Sequence, residues 1–181
     1  MKFRTDFVTN SSSSSFIAVK AITLDGKQYC AELESGNVDI DVNAHSGRFE
    51  FPAKDFENLE AVSDLFCSIY KWFYDSLLDP ECAQDEPEEA LRIYGSGDFK
   101  SILSLRKENL RFVAVFSREE FCDEPFGASL ISYDYTQNAF FEEHREKYND
   151  EEDCYGSELG DRFRDSTSFD SICIASESGE E

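Results

Sequence analysis

Phe16 to Leu24 (FIAVKAITL) is almost continuously apolar and β-branched, the pattern of a buried strand. Asp25-Gly26 follows, a dipeptide suited to a tight hairpin turn. Lys27 to Leu33 then alternates, with Tyr29, Ala31 and Leu33 on one face, which predicts the second arm of a hairpin. Val38, Ile40 and Val42 alternate against Asp39 and Asp41 and predict a third strand. Arg48 to Phe51 predicts a short fourth one, ended by Pro52.

The period changes after Pro52. Phe56, Leu59, Val62, Phe66, Ile69, Phe73 and Leu77 recur at intervals of three and four, the signature of one amphipathic helix face. Asp55 is the candidate N-cap and Asp79-Pro80 the stop. Residues 88–94 and 98–104 predict two short helices, separated by a turn at Gly95-Ser96-Gly97, with Asp98 capping the second. Leu110 to Phe116 and Ala128 to Tyr135 read as neighbouring strands, continued after a turn by Asn138 to Phe141. Beyond Glu142 the chain is charged and weakly patterned. Phe163, Phe169, Ile172 and Ile174 are its apolar anchors, and Ile172 to Ala175 is the best candidate for a late strand.

Strands and helices do not alternate regularly, which argues against a doubly wound fold. The expected class is α+β: an antiparallel or mixed sheet with one long amphipathic helix packed on it. The expected organisation is a serine-rich arm over 1–15, an α+β domain over 16–141, and an acidic segment over 142–181 that is at most partly ordered or is docked by a short late strand.

Composition supports a real core. The 181 residues include 17 Phe, 8 Tyr and 1 Trp, and large rings bury much apolar area each. Charge changes the picture more. Asp and Glu number 39 against 17 Lys and Arg, a net charge of −22. Such a surface repels nucleic-acid phosphates and anionic lipid, so direct nucleic-acid or membrane binding is not expected. A protein partner with a basic surface is the partner that this charge suits. Residues 1–31 are mildly positive, whereas residues 141–181 carry 14 acids against Arg145, Lys147, Arg162 and Arg164. No stretch has the apolar length of a membrane helix, and no signal-peptide pattern opens the chain, which points to a cytoplasmic protein. In that compartment Cys30, Cys67, Cys82, Cys122, Cys154 and Cys173, widely spaced and without a CxxC, read as thiols rather than disulfides.

Candidate chemistry is sparse. His45 and His144 are the only histidines, and no closely spaced Cys or His pair suits a zinc tetrahedron. Asp150 to Asp153 are consecutive acids and lack the alternation around a central glycine that a calcium loop uses. Cys67 in mid-helix reads as a packing residue, Cys30 faces away from Tyr29 and Ala31, and Cys122 and Cys154 stand near acids that disfavour a thiolate. Neither the nucleophile elbow, the Walker loop nor the dinucleotide fingerprint occurs. Glu142 and Glu143 before His144 could do acid–base work but read first as a solvated charged segment. No cofactor, metal or catalytic residue is therefore assigned, and the balance leans away from an enzyme.

One string is distinctive: Arg4 to Asn10 (RTDFVTN), then Ser11 to Ser15, then Phe16-Ile17. It resembles a leader, roughly R-x-x-F-V-T-N-S-S-S-S-S-F, that opens otherwise unrelated bacterial proteins of uncharacterised function. The resemblance covers about 15 residues and implies no activity. Three readings of Thr9, Asn10, Ser11, Ser12, Ser13, Ser14 and Ser15 stand side by side. They form a flexible or turn-forming arm, a segment recognised or modified by another protein, or a loop whose backbone N–H groups hold an anion. For the whole chain the expected function is a non-catalytic binding or protein-interaction module. The alternatives are an acidic inhibitor that mimics DNA, and an enzyme with an unfamiliar site.

Overall fold

The computed structural model describes residues 14–34, 49–77, 94–97, 99–121, 124–146 and 155–177. Six strands form one antiparallel sheet: β1 (Ser14–Thr23), β2 (Gln28–Glu34), β3 (Tyr94–Gly97), β4 (Leu110–Phe121), β5 (Glu124–Asp134) and β6 (Ala139–Glu146), in the order β3-β2-β1-β4-β5-β6. Among the described residues five helices accompany it: α1 (Ala53–Asn58), α2 (Val62–Leu77), α3 (Phe99–Leu103), α4 (Tyr155–Asp165) and α5 (Phe169–Glu177). The α+β class and the antiparallel sheet agree with the sequence reading. The hairpin turns where Asp25-Gly26 stands, and Gly26 has the positive φ (81°) that this turn requires.

Strand β1 lies at the centre, paired with β2 on one side and on the other with β4, whose partners run from Leu110 opposite Thr23 to Glu120 opposite Ser14. Its near-continuous apolar run follows from burial on both faces. Ile17, Val19 and Ala21 join Val113, Val115, Ile131 and Tyr133 in one core, which Phe56, Leu65, Phe66, Ile69 and Ile102 from α1, α2 and α3 complete. Ala18 and Ile22 join Phe112, Ala114, Phe116 and Leu130 on the opposite face, under Leu159, Phe163 and Ile172 of α4 and α5. Gly160 of α4 lies over the ring of Phe116, which a Cβ there would meet at ordinary contact distance, 3.4 Å.

Several expectations are corrected. One long helix is not formed: the apolar spacing runs unbroken from Phe56 through Leu59 to Val62, but the backbone does not. Ala61 bridges Arg106, Val62 N–H donates to Leu105 C=O at 3.0 Å, and Lys107 N–H donates to Glu60 C=O at 2.9 Å. A new helix starts there because Asp64 reaches back to accept from the N–H groups of Glu60 (3.0 Å) and Ala61 (2.9 Å), half of a capping box. The first helix starts behind Pro52, its N-cap, rather than at Asp55, which falls in its first turn. Residues 49–52 form no strand; Phe49 and Phe51 instead drop into the core, with the Phe51 ring edge-on to Phe56 at 4.6 Å. Gly95-Ser96-Gly97 is not a turn but part of edge strand β3, held by β2. The predicted strand over 38–42 and most of the helix over 88–94 lie outside the described residues.

The C-terminal segment differs most. Strand β6 runs on from Phe141 through Glu146, and Ile172 to Ala175 lie in a helix, not a late strand. Four apolar residues cannot tell the two periods apart. The decisive spacing is Leu159 with Phe163, four apart, and Phe169 with Ile172, three apart, both facing the sheet.

Two polar anchors fasten this layer. Lys20, 4% exposed in the middle of β1, donates from Nζ to the C=O groups of Phe163 (2.5 Å), Arg164 (2.6 Å) and Ser166 (3.2 Å), and lies 5.1 Å over the Phe163 ring. These are the orphan carbonyls at the end of α4, where a cation is favoured. Burial pushes the Lys20 pKa below its ordinary value, opposed by the Cys30 thiol across the strand pair and by Asp165. The second anchor is Arg162. It pairs with Glu143 on β6 at 2.5 Å, donates to Ile172 C=O at 3.2 Å and lies over the Phe141 ring. Glu143 also holds Arg145, which reaches Glu158 at 2.7 Å.

Replacing Lys20→Met removes the donor and leaves three carbonyls without it, those of Phe163 and Ser166 in buried contacts and that of Arg164 in a part-buried one. A stability loss of about 2 kcal/mol is expected in denaturant unfolding, whereas the surface control Lys54→Met should stay within about 0.5 kcal/mol. Removing the back-reaching cap with Asp64→Ala should cost about 1 kcal/mol by the same measurement.

Candidate functional site

Four segments meet at the end of the sheet where β1 and β4 exchange turns. Leu24 N–H donates to Asn109 C=O and Tyr135 N–H to Arg111 C=O, both at 2.9 Å, so the β1–β2 turn, the 3-10 turn Lys107–Asn109 and the β5–β6 turn are tied together. The end of α1 joins them, because the Tyr135 hydroxyl donates to Phe56 C=O at 3.1 Å and the Lys107 ammonium donates to Glu57 C=O.

The β5–β6 turn owes its shape to one carboxylate. Asp134, fully buried, accepts at Oδ1 from Thr136 N–H (2.7 Å), Thr136 Oγ1 (2.5 Å) and Gln137 N–H (3.0 Å). Asn138 closes the turn at φ 54°, a left-handed conformation that asparagine tolerates better than most residues. Its side-chain oxygen accepts from the Tyr133 hydroxyl. In the facing turn the Thr23 hydroxyl donates to Asp25 and the Lys27 ammonium pairs with it, which holds the Asp25 pKa down to about 2.

Between these turns lies an open cleft of about 610 Å³, lined by Leu24, Glu57, Lys107, Tyr133, Tyr135 and Asn138 among others, a volume within the range of ligand sites. Its floor is an aromatic corner: the Tyr133 and Tyr135 rings stand 4.9 Å apart at 57°. Tyr133 is fixed from behind by Phe56, stacked at 5.8 Å. Lys107 Nζ lies 5.8 Å over the Tyr135 ring. Glu57 and Glu108 are exposed, and Leu24, 60% exposed, is the one large hydrophobic residue left open among the described residues. Burial raises the pKa of both phenols; the Glu57 carboxylate adds to the rise at Tyr133. The cleft thus combines apolar ring faces, hydroxyls already oriented by acceptors, and charges of both signs. It is equipped to hold an amphipathic group.

The sequence candidates fall elsewhere. Thr9, Asn10, Ser11, Ser12 and Ser13 lie outside the described residues, while Ser14 and Ser15 open β1, opposite Glu120 and Glu119. Ten residues at ~3.3 Å each put Ser14 about 33 Å along β1 from Leu24, so these two serines take no part in the cleft. His45, Cys82, Cys122 and Cys154 also lie outside. His144 stands opposite Ser129 on β6, and Glu143 points to the other face, engaged by Arg162 and Arg145 rather than solvated. Cys67 is exposed on α2, not packed as expected. Cys30 is buried, and it does face away from Ala31, each in a different core. Among the described residues no group of three or more His, Cys, Asp or Glu side chains gathers as metal ligands, and no helix is long and apolar enough to cross a membrane. Tyr133, Tyr135, Lys107, Glu57 and Leu24 carried no motif. The readable signal was Tyr-Asp-Tyr leading into Thr-Gln-Asn, two aromatics beside a turn built by Asp134 and Asn138.

No protein-family model, no curated protein and no solved structure matches the chain.

The buried phenols fix the sign of one pH effect. In the unfolded chain Tyr135 ionises near its ordinary pKa of 10, but in the folded chain it stays protonated to higher pH. The stability it contributes is whole below pH 10 and is lost as pH climbs above it. Unfolding at pH 10.5 to 11.5 should show a stability decline that is shallower in Tyr135→Phe, with the two proteins differing by a constant amount below pH 9.

Proposed function

We propose that the protein is a non-catalytic binding module that contacts a partner protein carrying a basic surface. The observation that carries this reading is the tyrosine-floored cleft beside an exposed Leu24. Tyrosines supply large, rigid contact area with a polar tip, and they are common where proteins touch. Their hydroxyls here are engaged by Asn138 and by Phe56 C=O, an arrangement suited to holding a surface in place. The net charge of −22 steers a basic partner toward the molecule and repels an acidic one. The segment Thr9 to Ser15 enters as a separate contact or modification site, because its last two residues join the sheet at the end remote from the cleft.

The test is capture from native lysate on immobilised full-length protein, compared with Leu24→Ser. A partner retained at roughly 50 mM salt and released near 500 mM, with recovery reduced at least about threefold by Leu24→Ser, is the expected result. A partner retained equally by both proteins, or no specific partner at any salt concentration, contradicts the reading. Displacement of the partner by duplex DNA would favour the DNA-mimic alternative instead.

A further inference from the structure

The cleft already binds a cation, its own. Lys107 places an ammonium 5.8 Å over the Tyr135 ring and donates to Glu57 C=O. Ring faces attract cations through their quadrupole, so this contact shows which charge the aromatic corner accepts. Tyr133, only 1% exposed, backs the Tyr135 ring at 57° and has the Glu57 carboxylate beside its hydroxyl, so the open ring face is that of half-buried Tyr135. Glu57 and Glu108 are both exposed along the cleft, two negative charges against the single positive charge of Lys107. Leu24 provides an apolar rim at one side. A long cationic side chain matches this set part by part. Its methylene stem covers Leu24, and its charged head meets Tyr135, Glu57 and Glu108 in the place that Lys107 holds.

Building on the binding-module reading, we infer that the cleft is the seat of an arginine or lysine side chain from a peptide segment of the partner protein, and that Lys107 is an internal occupant competing for it. An acidic ligand would instead need Lys107 as its anchor, and the two cases give opposite responses to the loss of that charge.

The experiment uses the full chain and a fluorescein-labelled nine-residue peptide with three arginines spaced by glycine and serine. The same peptide with glutamine, or with glutamate, in place of arginine serves as the control. Fluorescence anisotropy gives affinity, and NMR of the Leu24 methyls and the tyrosine rings gives location. The arginine peptide should bind and shift the Leu24, Tyr133 and Tyr135 signals, and the controls should not. Glu57→Gln should weaken binding about threefold to fivefold, the worth of one exposed charge contact. Lys107→Gln, which keeps a donor for the Glu57 carbonyl, should strengthen it by a similar factor. Loss of arginine-peptide binding in Lys107→Gln, or preferential binding of the glutamate peptide, overturns the inference. Arginine-peptide binding unchanged in both variants, with no Leu24 shift, overturns it too while leaving the binding-module reading intact. If the peptide behaves as expected but the lysate yields no salt-sensitive partner, the cleft assignment stands and the protein-partner reading fails.

Discussion

An ammonium buried in the central strand of a sheet has few ways to be satisfied, and the one that this protein uses organises half of the molecule. Lys20 stands between Cys30 and Ala114 across the sheet and spends its donors on the last carbonyls of α4. The carbonyls at that helix end are shielded by Phe163 and Ser166, both buried, and an unpaired lysine there would be costlier still. The contact therefore places α4 over the centre of the sheet, and Arg162 and Arg145 then fix its rotation against β6. Once that face is covered, α1, α2 and α3 cover the other. The central strands β1 and β4 become apolar on both sides.

Among the described residues both faces of the central strands are covered, and the cleft lies at the strand ends. At one end three turns are laced by backbone hydrogen bonds, the last residues of α1 join through the Tyr135 hydroxyl and the Lys107 ammonium, and the Asp134 carboxylate shapes the β5–β6 turn from within. The tyrosines of the cleft are backed by core rings, Tyr133 by Phe56 and Tyr135 by Tyr133. The site thus rests on the core, which is what a preorganised recognition surface needs. What it presents is ring faces, oriented hydroxyls and carboxylates on the rim.

Much of the frame was legible because it rests on local periodicity. Ile17, Val19 and Ala21, Tyr29 and Ala31, and the face from Phe56 to Ile69 are all where their spacing puts them. What local periodicity cannot register is a long-range bond. The break between α1 and α2 depends on Ala61 and Glu60 pairing with residues 105–107, while the apolar spacing passes over it undisturbed. Gly95 and Gly97 read as turn formers, yet they pair with Leu33 and Ala31 at the edge of the sheet. The acidic count of the last 40 residues masked Leu159, Phe163, Phe169 and Ile172, four apolar residues sufficient to dock two helices. Lys20 was itself the clue: a lone charge inside an apolar strand calls for a buried partner, and the C-terminal segment supplies it. The cleft was hidden for the same reason, since Leu24, Glu57, Lys107 and Tyr135 come from four separate stretches.

The claim on which all of this rests is that the acidic C-terminal segment forms the second covering layer of the sheet. Hydrogen exchange of the intact protein at neutral pH, followed by mass spectrometry of peptides spanning residues 155–177, tests it directly. Exchange in those peptides slowed by at least about a hundredfold relative to an unstructured chain, together with slow exchange in β1 and β4, is the predicted outcome. Exchange at the unstructured rate across residues 155–177, with β1 and β4 still protected, would contradict it.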